Sequence, residues 1–203
     1  MITGFAVLLW VYLLAAIPFG FLIVRASRGR DLRGEGSGNI GATNVFRTSG
    51  KLQGVATLLL DAGKGALGVA LARALLGEDD PRWVAAAAFV AVLGHCYPVY
   101  LGFKGGKGIA TGCGAYFVPA PLPMAICLGI FTAAVLITRI VSIGSILAGL
   151  ALPLLVWWLQ PDRALLISAG ASVGLVILRH RSNLRRIAGG TEAAISGGGG
   201  SST

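Results

Sequence analysis

Twelve residues, Gly36-Ser37-Gly38-Asn39-Ile40-Gly41-Ala42-Thr43-Asn44-Val45-Phe46-Arg47, bring glycines, hydroxyls, carboxamides and a guanidinium into one short loop. Glycine lets the backbone turn tightly and aim successive N–H groups at one point, where Ser37, Asn39, Thr43, Asn44 and Arg47 add further donors. The chemistry such a loop suits is holding an anion, phosphate above all. A second stretch, His95-Cys96-Tyr97-Pro98-Val99-Tyr100-Leu101-Gly102-Phe103-Lys104-Gly105-Gly106-Lys107-Gly108, sets two lysines in flexible backbone just before a short apolar run. A helix beginning there adds its own partial positive charge, which suits a second phosphate. In a third stretch, His180-Arg181-Ser182-Asn183-Leu184-Arg185-Arg186, His180 and Asn183 stand three apart and share a face if the helix continues. A neutral imidazole accepts a hydroxyl proton, and a carboxamide orients the group that gives it up.

These polar stretches are set in a chain of 203 residues that is 55% apolar and only 12% charged, which points to one membrane domain rather than a soluble globule. The net charge of +9 sits mostly between apolar spans, where it reads as orientation in the membrane or as anion binding, not as a nucleic-acid surface. Cys96, Cys113 and Cys127 are too widely spaced for a metal knuckle and read as small hydrophobes, with neither a disulfide nor a metal expected. The first apolar run, Ile2 to Val24, lacks a basic leader and predicts a retained span rather than a cleaved signal.

Apolar spans are predicted at about 3–24, 54–77, 83–103, 121–138, 141–159 and 163–179, each near the ~20 residues a bilayer core requires. Arg25, Arg28, Arg30, Arg33, Arg47 and Lys51 mark the first connection as cytoplasmic, whereas Glu78, Asp79 and Asp80 suit the outside. For Lys104, Lys107 and the cluster Arg179, His180, Arg181, Arg185 and Arg186 to lie inside as well, one more crossing is needed. The short stretch from Gly108 to Val118, closed by the prolines of Pro119-Ala120-Pro121-Leu122-Pro123, supplies it. The predicted architecture is therefore all-α, with seven transmembrane helices of which one is short or broken, N-terminus out and C-terminus cytoplasmic. Residues 1–190 form one transmembrane domain and 191–203 a flexible tail. All three polar stretches then meet on the cytoplasmic side.

Each feature also has a purely structural explanation. Arg179, Arg185 and Arg186 serve equally as a topology signal, Lys104 and Lys107 as interfacial anchors, and a lone histidine such as His95 or His180 as a hydrogen-bonded interfacial residue. Asp61 and Lys64, three apart in the second span, predict a structural ion pair on one helix face. Ser142 and Ser145 offer small-residue packing or a hydroxyl contact to substrate, and Gly170 and Gly174 predict a close helix contact. Gly36–Gly41 and Gly63–Gly68 both satisfy G-x-G-x-x-G, but neither follows a strand, and neither Lys64 nor Lys107 is followed by Ser or Thr. A dehydrogenase and an NTPase are excluded. Three classes stay open on the residues alone: an enzyme acting on two anionic ligands, a transporter or flippase of a phosphorylated small molecule, and a scaffold that binds anionic lipid.

Over nearly its whole length the chain resembles the bacterial membrane acyl-phosphate:glycerol-3-phosphate acyltransferases, commonly called PlsY. The resemblance rests on the first loop, on Gly94-His95-Cys96-Tyr97-Pro98 through Phe103-Lys104-Gly105-Gly106-Lys107-Gly108, and on His180-Arg181-Ser182-Asn183. It implies a seven-helix inner-membrane enzyme, its active site facing the cytoplasm, that moves a fatty acyl group from acyl phosphate to the sn-1 hydroxyl of glycerol 3-phosphate. The products are lysophosphatidate and phosphate, and neither cofactor, metal, nucleic acid nor obligate protein partner is implied beyond membrane lipid. Tyr100 and Arg185 stand where an H-x-x-x-x-D acyltransferase motif would place its acid after His95 and His180. By the same resemblance Ser37, Gly38, Asn39, Arg47 and Lys107 hold the acyl-phosphate head, and Lys104, Ser142, Ser145, His180 and Asn183 approach glycerol 3-phosphate, an allocation that can also be exchanged between the pockets. His180 and Asn183 are the catalytic pair, with His180 or a phosphate oxygen of the donor taking the proton. Gly41, Thr43, Asn44, His95, Gly105, Gly106 and Gly108 support them.

Overall fold

The computed structural model describes residues 1–76 and 80–194, and the regular structure among them is helical. Pro18 interrupts the first predicted span, because it has no N–H to donate and its ring disfavours a helical residue before it. The chain therefore forms α1 (Ile2–Ala15), breaks, and resumes as α2 (Phe19–Arg28), the two together making one apolar span of 27 residues. Gly29, at φ 68°, ends α2. After a single 3-10 turn at Leu32–Gly34 come α3 (Ala42–Ser49) and the long α4 (Lys51–Leu76). Pro81 opens α5 (Pro81–Cys96), with Asp80 capping it by accepting from the Arg82 N–H at 3.2 Å, and a second 3-10 turn follows at Val99–Leu101. The remaining helices are α6 (Ile109–Phe117), α7 (Pro121–Thr138), α8 (Val141–Leu159), α9 (Arg163–Arg179) and α10 (Arg181–Ala188).

Five of these spans are long and apolar enough to cross a membrane, or six if α9 and α10, bent by 59°, count as one. The short run after Gly108 is helical as expected, but its nine residues reach only ~13 Å, less than a hydrocarbon core. It lies against α4, α5 and α7. Two glycines allow the closest of these contacts: a Cβ on Gly65 would collide with the Thr111 carbonyl, and one on Gly114 with the Ala62 carbonyl, so α4 and α6 touch backbone to backbone.

The interior is built from small side chains, among them Val11, Ala15, Val69, Ala72, Ala88, Ala91 and Ala115, while Leu59, Leu136, Ile137, Trp157 and Trp158 point outward. That inversion of a soluble core is what a lipid surround permits. Gly170 and Gly174 depart from expectation. Both are exposed, and a Cβ on either would meet nothing within 4 Å, so the close helix contact predicted for them is not formed among the described residues. Glu78 and Asp79, assigned to the outside by charge, lie beyond the described residues.

Connections gather at two ends of the bundle. A small cavity of about 220 Å³ is lined by Arg73, Pro81, Pro119, Gln160 and Asp162, from the ends of α4, α6 and α8 and the starts of α5 and α9. Gln160 donates to the Pro119 carbonyl at 2.8 Å across that end, and Phe5 of α1 stacks edge-on against Trp83. The opposite end carries the polar loops.

Candidate active site

At that opposite end a cavity of about 440 Å³ draws its lining from all three polar stretches. The first wall is the glycine loop, and its organiser is Asn44. Buried at 2% exposure, Asn44 donates through Nδ2 to the carbonyls of Glu35 (3.0 Å) and Asn39 (2.9 Å), and its Oδ1 accepts from the Ser37 N–H at 2.9 Å. The Asn39 Oδ1 accepts from the Gly41 N–H at 2.8 Å, turning the chain into α3. These bonds engage the whole Asn44 carboxamide and the Asn39 oxygen, leaving the Asn39 Nδ2, the Ser37 and Thr43 hydroxyls and the N-terminal amides of α3 as donors for a ligand. Arg47, one turn further on, is exposed at the rim and donates to the Ala193 carbonyl at 3.0 Å.

The second wall is Lys107, Gly108, Ile109 and Ala110, the opening turn of α6. Gly108 holds φ 80°, a left-handed conformation that a side chain would strain. Burial pushes the Lys107 amine down to about 8, with Arg186, Arg47 and Arg179 reinforcing the shift and Glu192 opposing it. Gly105 and Gly106 stand behind this wall rather than in it, packed on His95, and the Gly106 N–H donates to the His95 carbonyl at 3.1 Å. Two of the expected ligand residues lie outside the cavity: Gly38, and Lys104, which is exposed on the turn after α5.

The third wall combines the start of α8 with the bend between α9 and α10. His180, in that bend beyond the last residue of α9, is 2% exposed, and its Nδ1 lies 2.8 Å from the Val176 carbonyl. A carbonyl only accepts, so Nδ1 carries the hydrogen and Nε2 keeps the lone pair. Burial, then the nearby Lys107, lowers this imidazole to about 4, so it is neutral at neutral pH. Asn183 donates through Nδ2 to Ser142 Oγ at 2.7 Å and to the Glu192 carboxylate, and its buried Oδ1 has no hydrogen-bond partner among the described residues. Ser142 also donates to Glu192, and Arg186 Nε meets Glu192 Oε2 at 2.7 Å. Burial alone would raise the Glu192 carboxyl, but these three donors outweigh it and hold it below the usual range. Ser145 lines the cavity with its hydroxyl bonded back to the Val141 carbonyl at 2.9 Å. Deeper in, Asp61 and His95 form the floor.

Ser37, Asn39, Arg47, Lys107, Ser142, Ser145, His180 and Asn183 thus converge on one cavity, together with Gly41, Thr43, Asn44, His95 and Gly108. Glu192 was not singled out from the sequence, and Arg186 and Asp61, read there as a topology signal and as half of a structural ion pair, also line the cavity. Thr191, Glu192 and Ala193, which the sequence assigns to the tail, line the cavity, whereas the flexible run expected at 196–203 lies beyond the described residues. The one signal for Glu192 was an acid isolated after a run of basic residues, spaced to fold back on Arg186.

Fold and site together define a multi-pass, all-helical membrane protein with a cationic, donor-lined pocket at one end of its bundle. The chain belongs to the glycerol-3-phosphate acyltransferase family, whose description matches residues 5–190. It is 49% identical over 183 residues to a glycerol-3-phosphate acyltransferase of Desulfotalea psychrophila and 48% identical over 182 residues to one of Geobacter sulfurreducens, in each case covering 89% of this chain and 92% of the relative. Its fold matches the crystal structure of PlsY, an integral membrane glycerol 3-phosphate acyltransferase, in its glycerol 3-phosphate form, with a TM-score of 0.90 and 36% identity over 95% of this chain and 96% of that one. The lysophosphatidic acid form of PlsY matches with a TM-score of 0.86 and 34% identity, over 95% of each chain.

Proposed function

We propose that this chain transfers a fatty acyl group from acyl phosphate to the sn-1 hydroxyl of glycerol 3-phosphate, in the synthesis of phospholipid. The observation that carries this reading is the convergence of two helix N-termini, Lys107, Arg47 and the His180–Asn183 pair on one cavity, since each substrate brings a phosphate. Acyl phosphate is already activated, so catalysis needs placement and charge rather than a covalent intermediate. The glycine loop, the start of α3, Arg47 and Lys107 hold the donor's phosphate. Ser142, Ser145, Asn183 and His180 receive glycerol 3-phosphate, with Lys104 left at the approach.

The His180 Nε2 and the Asn183 Oδ1 are the two acceptors facing a hydroxyl. Burial keeps the His180 imidazole neutral, so its Nε2 accepts a hydrogen bond from the sn-1 hydroxyl and orients it, and a phosphate oxygen of the donor takes the proton as the phosphate leaves. The hydroxyl oxygen bonds to the acyl carbon, the carbon–oxygen bond to phosphate breaks, and phosphate departs with the proton. Glu192 keeps the Asn183 carboxamide turned so that its oxygen faces the substrate, which makes one domain through at least residue 192 the working unit. We place the site on the cytoplasmic face of a bacterial inner membrane. Seven crossings bring it there, with α6 as the short one, the N-terminus outside and the C-terminus within.

The reading is tested by incubating purified protein with acyl phosphate and labelled glycerol 3-phosphate. Lysophosphatidate and an equal amount of phosphate are the expected products. Labelled glycerol 3-phosphate entering vesicles without forming an ester would overturn the reading in favour of transport.

A further inference from the structure

Arg179 reads from sequence as a topology signal, yet its guanidinium does specific work inside the protein. Its Nε donates to the Gly106 carbonyl at 2.9 Å and its Nη2 to the Gly105 carbonyl at 2.5 Å, while its plane lies over the Tyr97 ring, 5.3 Å from the centroid. The two carbonyls belong to the residues immediately before Lys107. Neither glycine lines the cavity, whereas Lys107 and Gly108 do. A loop of adjacent glycines resists peptide rotation weakly. If these carbonyls swung toward the cavity, they would present lone pairs to an incoming phosphate. The Gly106 N–H is already committed to the His95 carbonyl, so Arg179 completes the other half of the clamp.

We propose that Arg179 is a positioning residue of the Lys107 anion pocket, holding the Gly105 and Gly106 carbonyls away from the cavity so that the loop meets a phosphate with cation and N–H alone. The proposal rests on the reading of Lys107 as a phosphate-binding group. Arg179 directly precedes His180, so the end of α9 braces the donor pocket with one residue and lines the acceptor pocket with the next.

Arg179→Lys separates this role from a topology signal, because it keeps the charge but cannot make two parallel bonds while stacked on an aromatic ring. In purified enzyme, Arg179→Lys should raise the KM for acyl phosphate about tenfold and weaken inhibition by inorganic phosphate by the same factor, with kcat within about threefold of the parent. Methylguanidinium added to Arg179→Ala should recover part of the lost affinity. Arg179→Lys with parental KM and parental phosphate inhibition would overturn the proposal, since charge alone would then suffice. Lys107→Ala, measured in parallel, keeps the two ideas apart. Unchanged phosphate handling in that variant sinks the Lys107 pocket itself, and a raised KM in Lys107→Ala beside an unchanged Arg179→Lys sinks only the role of Arg179.

Discussion

The Lys107 amine sits where its charge is both needed and strained. Burial and the guanidinium groups of Arg186, Arg47 and Arg179 hold it to about 8, although Glu192 pulls the other way. Its charge is therefore present below about pH 8 and lost as the pH rises through that value, while a phosphate ligand keeps its own negative charge. The KM for acyl phosphate should be flat up to about pH 8 and climb above it. Lys107→Arg should remove the climb, because a guanidinium stays protonated beyond pH 12. Measuring KM from pH 6.5 to 9.5 for both proteins checks this, and a flat parental profile would refute it. His180 adds no inflection near the ordinary histidine value in that range, since its imidazole is already neutral.

The break between α1 and α2 at Pro18 frees a carbonyl inside the bundle. Lys64 of α4 reaches it, its Nζ donating to the Ile17 carbonyl at 2.6 Å while lying 2.8 Å from the Asp61 carboxylate. Both charged side chains are 2% exposed, and the Phe19 ring lies over the ammonium at 5.6 Å. Lys64→Met takes the donor from the Ile17 carbonyl and leaves the Asp61 carboxylate with only the His95 imidazole, its Nδ1 3.6 Å away, a loss of about 3–5 kcal/mol. Thermal unfolding in detergent should show a large drop for Lys64→Met and a smaller one for Lys64→Met combined with Asp61→Asn. A double variant as unstable as the single would show that the ion pair is not the cause. The pairing of Asp61 with Lys64 was legible because three-residue spacing fixes a shared helix face. The Ile17 partner was not, since it depends on how one proline breaks an apolar run 47 residues away. The same limit hid the Arg179 clamp and the contact of Glu192 with Ser142, whose partners are brought together by the bundle and not by local spacing. What sequence did carry was the set of polar stretches, because exposed glycine and charge are conspicuous in an apolar chain.

Over the whole molecule, the direction of each helix decides which loops share a face. The ends of α4, α6 and α8 meet the starts of α5 and α9 around Pro119 and Gln160, and the cation-lined cavity occupies the other end. Seven crossings follow only if α6, despite its nine residues, carries the chain from one face to the other. Its backbone contact with α4 at Gly65 and Gly114 supports that, because a short helix enclosed by protein need not match the lipid thickness. The proposed orientation then assigns Lys104 to the cytoplasmic face and Arg82, with a side chain 80% exposed, to the outer one. In a background with Cys96, Cys113 and Cys127 replaced by alanine, Lys104→Cys should react with a membrane-impermeant maleimide in inverted vesicles alone. Arg82→Cys should react in right-side-out vesicles alone. Because α5 joins these two positions directly, labelling of both from one side would mean that α5 does not cross. Both patterns exchanged would reverse the orientation, and the pocket would then open away from the cytoplasm.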